Sequence, residues 1–286
     1  MGSYKIEDAK GRFVMVAANA SQETVNAKAR ELLITCDVRD NTRQTFGGGE
    51  YSDNALHSDL TSLILLRLHK KTFPSHPVDM ETSTSSFTLQ ANPGTDIWRK
   101  PPVTNVWNAP ISRTSTGLLK KFQSARVTFW APWTCRYDQA GLLFVPRRAS
   151  SSPPTVEPPE KWLKTGIEYY HDEPQLSTVG CDRFADWSIG PLTRTVDPKR
   201  GVTLEARREG DENGRSIWIY QLVLDEATGD VVERLALREV CWILADEDED
   251  GGEGWVLDVS PLIARPEKNA TEPLSAEFKG FTVMWD

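Results

Sequence analysis

WLKTGIEYY, residues 162–170, is the stretch that decides the fold, because apolar and polar residues alternate along it. Successive side chains of a β-strand point to opposite faces of a sheet, so this alternation predicts a strand with one buried face. The face predicted to join the core carries Leu163, Thr165, Ile167 and Tyr169. The opposite, more polar face carries Trp162, Lys164, Gly166, Glu168 and Tyr170.

The segment YDQAGLLF, residues 137–144, alternates in the same way. Its predicted core side consists of Asp138, Ala140, Leu142 and Phe144. Its other side, with Tyr137, Gln139, Gly141 and Leu143, is expected to share the face of Lys164 and Glu168. The two segments therefore predict strands with a common polar face.

Short segments rich in Val, Ile, Trp, Tyr and Phe recur after residue 75, separated by turn residues. With no helix between them, they predict an all-β fold of two stacked sheets. Residues 211–214 and 225–229 predict hairpin turns. The predicted strands are Ser85–Gln90, Phe122–Trp130, Tyr137–Val145, Trp162–Tyr170, Gln175–Cys181, Val202–Arg208, Ile217–Leu224, Val231–Leu237, Val240–Ala245, Trp255–Val259 and Glu277–Trp285.

Two parts of the chain fall outside this pattern. Residues 1–74 are predicted to be a partly helical extension, with helices near residues 21–33 and 53–71. Residues 146–160 hold five prolines and three consecutive serines, which predicts an extended, mobile insertion rather than a strand. The β-domain is therefore expected to span residues 75–286.

Composition excludes several classes of function. The chain of 286 residues has a net charge of −8 and no basic stripe, which argues against a nucleic-acid partner. It shows no signal peptide and no apolar run long enough to cross a membrane, so a cytoplasmic protein is expected. Its cysteines are far apart and form no C-x-x-C pair, which predicts reduced, buried thiols rather than a zinc site. They are Cys36, Cys135, Cys181 and Cys241.

Several motifs together resemble a known family. They are TDIWRK (95–100), YDQAGLL (137–143), KWLKTGIEY (161–169), FADWS (184–188), LREVCW (237–242) and FKGFTV (278–283). In this order they resemble the domains of unknown function that include fungal regulation-of-enolase proteins and bacterial YesU-type proteins. The resemblance covers about residues 75–286 and implies a concanavalin A-like jelly roll of two antiparallel sheets. Lectins and glucanases share this fold. Domains of this type also occur appended to glycosidases, which suggests saccharide ligands, but the resemblance implies no catalytic residues.

The polar face predicts a site for a saccharide or a similar polar metabolite. Trp162 offers a platform for the apolar side of a sugar, and Gln139, Lys164 and Glu168 offer hydrogen bonds to its hydroxyls. The alternative is an ordinary solvated sheet face at Lys164 and Glu168, with Trp162 packed under the Pro-rich loop. Further candidate ligand contacts are Tyr137, Trp98, Arg99, Asp186, Trp187 and Ser188. The alternatives are a turn at residues 186–188 whose Asp bonds backbone amides, and an edge strand at residues 96–100 that ends at Pro101-Pro102.

Catalysis at this face would depend on Glu168 as acid or base, assisted by Lys164 and Gln139. A glycosidase needs a second carboxylate. Asp186 is one candidate and Asp138 another, although Asp138 alternates toward the core. Residues four apart on a strand are ~13 Å apart, so Lys164 is not expected to influence Glu168 directly. A serine hydrolase is not indicated, because no G-x-S-x-G motif is present.

The run DEDEDG, residues 246–251, matches the first half of an EF-hand calcium loop. Position twelve of that loop would be Leu257 instead of the glutamate that binds calcium through both oxygens. The preferred interpretation is a solvated acidic hairpin tip, and no metal or cofactor is predicted.

Three functions follow from these patterns. The first is a non-catalytic module that binds a saccharide or a similar metabolite. The second is an enzyme that uses Glu168 on a small polar or sugar-like substrate. The third is a regulatory protein that docks onto a metabolic enzyme. Residues 1–74 fit this third function if their Leu-rich helix is exposed, and the second if they close over the concave face as a lid. A protein partner or self-association through residues 1–74 is the corresponding partner prediction.

Overall fold

The computed structural model describes residues 86–151, 158–192 and 201–286, together with the strands at residues 3–7 and 13–17. The chain divides into two units, Met1–His76 and Pro77–Asp286. In the first unit, strand β1 (Ser3–Glu7) pairs antiparallel with strand β2 (Phe13–Ala17). The helices predicted near residues 21–33 and 53–71, and Cys36, lie outside the described residues.

The second unit is built from strands and short 3-10 turns. Its strands are β3 (Phe87–Ala91), β4 (Ile97–Lys100), β5 (Thr104–Trp107), β6 (Ser115–Leu118), β7 (Phe122–Trp130), β8 (Gln139–Arg148), β9 (Lys161–Tyr170), β10 (Glu173–Asp182), β11 (Phe184–Pro191), β12 (Val202–Asp211), β13 (Gly214–Leu224), β14 (Val231–Val240), β15 (Trp255–Ala264) and β16 (Leu274–Trp285). The 3-10 turns are Leu119–Lys121, Trp242–Leu244 and Glu249–Gly252.

These strands form a sandwich of two antiparallel, six-stranded sheets. The first sheet has the order β11-β10-β9-β8-β15-β6, and the second has the order β14-β13-β12-β7-β16-β3. The strands β4 and β5 form a separate antiparallel hairpin. The predicted all-β sandwich of two antiparallel sheets is therefore confirmed.

The two sheets pack through the apolar sides of their strands. Leu163 and Ile167 of β9 are buried in this core, as the alternation of residues 162–170 predicts. Fully burying one such side chain contributes about 1.5–3 kcal/mol, so this shared core is the main stabilising element of the sandwich. Its other large members include Leu142, Phe144, Val127, Phe129, Leu204, Ile219 and Phe278.

The prediction of an extended insertion at residues 146–160 is wrong for residues 146–148. Residues 146–148 belong to β8 and pair with residues 255–257 of β15. The pairing of β8 with β9 ends at Phe144, so Pro146 has a strand neighbour on one side only. Proline lacks a backbone N–H, and a position with one unpaired side tolerates this loss. Residues 152–157 of the insertion lie outside the described residues.

The strand predicted at Val240–Ala245 is also wrong. Val240 ends β14, and Trp242–Leu244 forms a 3-10 turn whose Ile243 and Leu244 are buried. A short apolar run can fill a core in either conformation, so periodicity alone does not separate the two. Strands β5, β6 and β11 have no counterpart among the predicted strands, whereas β4 corresponds to the strand given as the alternative for residues 96–100.

The acidic run at residues 246–251 follows this turn and is not a hairpin tip between two strands. Each of its first four carboxylates has a basic partner. The pairs are Asp246 with Lys161, Glu247 with Arg208 and Arg215, Asp248 with Lys120, and Glu249 with Arg148. Within the described ranges, no group of three or more Asp, Glu, His or Cys side chains could hold a metal ion.

The three described cysteines are all free thiols. Cys181 is buried, as predicted, whereas Cys135 is partly exposed and Cys241 is exposed. The prediction of buried thiols is wrong for Cys241, because this residue lies in the connection between β14 and the following turn. No helix in the described part of the chain has the length and apolar character needed to cross a membrane.

A buried ion pair joins the start of β8 to the end of β15. Asp138 is fully buried and Arg265 is 4% exposed. Arg265 donates from Nε to Asp138 Oδ1 at 2.8 Å and from Nη2 to Oδ2 at 2.6 Å. The backbone N–H groups of Thr134 and Cys135 also donate to Asp138. The predicted inward orientation of Asp138 is confirmed, and the ion pair fixes the turn that carries Tyr137.

Replacing Arg265 by Ala should destabilise the protein by about 3–5 kcal/mol, because it leaves the Asp138 charge buried without its partner. Lys120→Ala is the control, since it removes an ion pair with Asp248 whose side chains are 45% and 70% exposed. This control should unfold close to wild type, because exposed ion pairs contribute little. Urea unfolding measures both variants, and equal stability of the two would contradict the importance of the buried pair.

Candidate functional site

The hairpin of β4 and β5 packs on the face of the first sheet that is turned away from the core. Its Ile97 joins a second apolar cluster with Leu143, Val145, Trp162, Val179, Cys181 and Leu262 of the sheet. Trp98, Trp107 and Trp187 pack against this cluster. This is the face that the sequence predicts to be polar, and the hairpin covers part of it.

Lys164 holds the hairpin on the sheet. Its ammonium donates to the backbone oxygen of Ile97 at 2.7 Å and to Gln139 Oε1 at 2.7 Å, and it pairs with Asp96 Oδ1 at 3.4 Å. An ammonium group has three donors, so these acceptors occupy all of them. Lys164 is also buried, with 5% of its surface exposed. It therefore has no free donor for a ligand.

Gln139 completes this network. While its Oε1 accepts from Lys164, its Nε2 donates to Asp96 Oδ1 and to the Tyr137 backbone oxygen, both at 3.2 Å. Both amide protons are therefore in use. We call Asp96, Gln139 and Lys164 the clamp. The predicted site does not include Asp96. The TDIWRK motif (95–100) contains this carboxylate directly before Ile97, so the motif offered a way to identify it.

Glu168 lies beside the clamp, directly opposite Gln139 in the β8–β9 pair. Ser177 Oγ donates to Glu168 Oε2 at 2.9 Å, and Trp187 Nε1 donates to Ser177 Oγ at 3.0 Å. No described residue donates a hydrogen bond to the other oxygen, Oε1. Glu168 is 6% exposed, so it combines near-complete burial with one unoccupied acceptor.

Burial raises the pKa of Glu168 above its usual value of 4.5. The Lys164 charge, the Ser177 hydrogen bond and, least of all, a Trp187 hydrogen bond lower this pKa, while the Asp96 charge raises it further. The prediction that Lys164 is too distant to influence Glu168 is therefore wrong. The ~13 Å separation describes backbone positions, whereas the Lys164 ammonium reaches Gln139, the residue opposite Glu168. A buried carboxyl group with a raised pKa is suited to hydrogen bonding or proton transfer.

Three aromatic rings, which we call the aromatic wall, stand beside Glu168. Tyr137 stacks on Tyr170 with centroids 5.7 Å apart, and both meet Trp187 edge-on at 6.1 and 5.3 Å. Trp98 contacts Trp187 at 6.5 Å. All four residues are partly exposed, so each has surface available to a ligand. The sequence places Tyr170 on the correct face, but it is missing from the predicted ligand contacts.

A shallow cleft opens beside Glu168, with about 210 Å³ of empty space when the open solvent at its mouth is counted and about 10 Å³ when only space for water-sized molecules is counted. None of the aromatic-wall residues lines it, so a larger ligand would lie over its mouth. Its lining includes Gln139, Lys164, Glu168, Ser177 and Leu262, and Gly166 contributes to the floor. A Cβ atom on Gly166 would lie 2.0 Å from the Ala140 backbone oxygen. Glycine is therefore required here for the close approach of β8 and β9, and it keeps the floor free of a side chain.

Trp162 and Arg99 do not contribute to this cleft. Trp162 is 1% exposed and packs against Trp107 under the hairpin, so the prediction of a ligand-stacking Trp162 is wrong. Arg99 donates to the Pro159 backbone oxygen at 3.3 Å. Burial raises the pKa of the Cys181 thiol to about 11, and the nearby Arg99 charge offsets part of this rise. Cys181 pairs with Trp162, which lies six positions along β9 from Glu168. Arg99 is therefore also wrong as a contact in this cleft.

Asp186 and Ser188 point to the other face of the edge strand β11. Both accept hydrogen bonds from Arg238 of the second sheet, at 2.8 and 3.0 Å. Trp187, between them, points to the hairpin-covered face, where it packs on the second apolar cluster and its N–H reaches Ser177. Alternation along one strand forces this division, so the prediction that all three residues contact the ligand is wrong for Asp186 and Ser188. Asp186 cannot act as a second carboxylate beside Glu168.

Similarity to known proteins covers the cleft. The family described as "Protein of unknown function (DUF1349)" matches residues 74–228, which include every cleft-lining residue except Leu262. An uncharacterized protein of Emericella nidulans is 44% identical over 168 residues, or 59% of this chain and 74% of that protein.

Two solved structures show weaker similarity. A functionally unknown protein from Saccharomyces cerevisiae is 18% identical, with a TM-score of 0.46 over 74% of this chain and 94% of that chain. A carbohydrate-binding module from Bacillus subtilis is 8% identical, with a TM-score of 0.27 over 68% of this chain and 96% of that chain.

Replacing Glu168 by Gln should stabilise the protein at pH 7. Because burial raises the pKa of Glu168 in the folded state, wild-type stability falls as pH rises from 4.5 through that folded pKa. Gln cannot ionise, so the melting temperature of the variant should exceed that of wild type at pH 7. The two values should converge as pH falls toward 4.5.

Asp186→Asn is the matched control for this comparison, because its side chain is 78% exposed and points to the opposite face. It should show no comparable gain at pH 7. A melting temperature of Glu168→Gln below that of wild type throughout this pH range would contradict the stated environment of Glu168.

Proposed function

The chain belongs to the DUF1349 family of proteins of unknown function, and from this premise we propose that it binds a saccharide or a similar polyhydroxylated metabolite beside Glu168. The observation that carries the proposal is Glu168 Oε1, which accepts no hydrogen bond from the described residues, next to three partly exposed aromatic rings. A sugar presents an apolar C–H face to an aromatic ring and hydroxyl donors to a carboxylate. Concave sites with few, convergent polar groups are typical of small-ligand binding.

Each group near the cleft has a distinct part in this proposal. Glu168 Oε1 accepts a hydrogen bond from a ligand hydroxyl, and Ser177 holds the other oxygen in place. The ring of Trp187 packs against the ligand while its N–H orients Ser177. The clamp does not contact the ligand, because its members already bond to one another. It positions the hairpin that carries Trp98.

The second candidate is an enzyme with Glu168 as acid or base. The raised pKa of Glu168 favours it, because a carboxyl group that holds its proton longer is a better general acid. Asp96, whose charge contributes to that rise, replaces Asp186 and Asp138 as the nearest candidate for a second carboxylate. Acid–base chemistry on glycosidic bonds uses two such groups. The engagement of Asp96 in the clamp makes binding without catalysis the preferred function.

Other predictions rest on the sequence alone. A cytoplasmic location, a regulatory contact with a metabolic enzyme and self-association through residues 1–74 all stay predictions. The domain division at residues 74 and 75 and the relationship to regulation-of-enolase proteins also stay predictions. None of them contributes to the case for the cleft.

Thermal unfolding with neutral monosaccharides, disaccharides and uronates tests the proposal. A ligand that binds only the folded protein raises the melting temperature, by an amount set by its concentration relative to Kd. For a saccharide that gives such a rise, Glu168→Gln should weaken binding by about 1–3 kcal/mol, the value of a hydrogen bond to a charged group. Calorimetric titration measures this loss.

Trp187→Ala and Trp218→Ala form the matched pair for the aromatic wall. Trp218 is also partly buried and stacks on Tyr220, but it belongs to β13 of the second sheet. We expect Trp187→Ala to lose most of the affinity and Trp218→Ala to keep it. Equal losses in the two variants, or no melting shift with any saccharide, would contradict the proposal. A Glu168→Gln variant that keeps affinity but loses about 10²–10⁴ in hydrolysis rate would identify the enzyme instead.

A further inference from the structure

Arg136 lies on the aromatic wall. Its guanidinium carbon is 4.6 Å from the ring centroid of Tyr137 and 5.1 Å from that of Tyr170. Arginine side chains stack favourably on aromatic faces, so the two rings restrict where this exposed group can move. The aromatic wall therefore carries a positioned positive charge.

This charge has no counter-ion among the described residues. No described carboxylate lies within ion-pair distance of Arg136, and none of the described groups accepts a hydrogen bond from it. A guanidinium group has five N–H donors in a planar fork, which matches the two oxygens of a carboxylate. A stacked guanidinium without an acceptor is organised to bind an anionic group.

Direct contacts connect Arg136 to Glu168. The guanidinium lies on Tyr170, Tyr170 meets Trp187, and the Trp187 N–H reaches Glu168 through Ser177. A ligand lying along the aromatic wall would thus meet a carboxylate at one end and a cation at the other. The negative charges of Glu168 and Asp96 repel an anionic group at the end of the ligand that lies beside Glu168. An anionic ligand is therefore oriented with its charge toward Arg136.

We infer that the cleft takes an acidic saccharide, such as a uronic acid or its glycoside, with the sugar carboxylate on Arg136 and a hydroxyl on Glu168. This inference rests on the proposed function and narrows its class of ligand. Two parallel N–H···O bonds from the guanidinium would hold the carboxylate, a geometry that lysine does not reproduce. Arg136 then determines specificity, while Glu168 and the aromatic wall supply binding common to neutral and acidic sugars.

Matched glycosides that differ only at C6 test this inference. Methyl β-D-glucuronide and the galacturonide carry a carboxylate there, and the corresponding glucoside and galactoside carry a hydroxymethyl group. Calorimetric titration of the full chain at low ionic strength should give at least one uronide about 10-fold tighter binding than its neutral partner, since 1.4 kcal/mol is a factor of ten. High salt should reduce this preference.

Arg136→Gln should abolish the preference for the uronide and leave the affinity for the neutral partner unchanged. Arg113→Gln is the control, because Arg113 is also exposed and its guanidinium stacks at 4.0 Å on Phe87, away from the cleft. This control should keep the wild-type preference. Since Arg136 is exposed, folding of the variant is expected, and an unchanged melting temperature verifies it.

The inference is overturned if wild type prefers the neutral sugars, or if Arg136→Gln keeps the preference for the uronide. In both cases Glu168→Gln still weakens binding, so the proposed function stands. The proposed function itself fails if wild type binds none of the four glycosides, or if Glu168→Gln leaves their affinities unchanged.

Discussion

The ammonium of Lys164 is the interaction on which the rest of the site depends. A charged group removed from water costs several kcal/mol unless it finds partners, and Lys164 finds three. Two of them, Ile97 and Asp96, belong to the segment that packs on the first sheet, so the charge cannot be satisfied unless this segment is in place. The hairpin in turn buries Trp162.

The polar groups on this face divide into a closed set and an open set. Asp96, Gln139 and Lys164 satisfy one another, and such networks stabilise a single arrangement when every member is bonded. Among the described residues, Glu168 Oε1 has no hydrogen-bond donor and the Arg136 guanidinium has no acceptor, so these two groups remain open. Buried groups with raised pKa values, like Glu168, destabilise the folded protein when they ionise, and functional sites are where such costs are typically retained. This division into a bonded set and an open set explains why neighbouring polar residues on the same face differ in function.

Sequence alternation correctly predicted which residues share a face, because direction along a strand is a local property. It separated Leu163 and Ile167 from Lys164 and Glu168 and placed Asp138 inward. It could not predict that a hairpin covers Trp162, since that contact joins segments about sixty residues apart. The role of Asp96 depends on the same contact. Asp186 and Ser188 were grouped with Trp187 although alternation opposes them, and Arg238 of the second sheet then decides their contacts.

The indole N–H signals of ¹⁵N-labelled protein, recorded during titration with the four methyl glycosides, test the central claim most directly. Trp187 donates to Ser177, which binds Glu168, so a ligand on Glu168 must change the environment of this indole. A cleft centred on Glu168 predicts the largest shift at Trp187, a smaller one at Trp98, and none at Trp218. Titrations that leave Trp187 unchanged, or that shift Trp218 most, would contradict it.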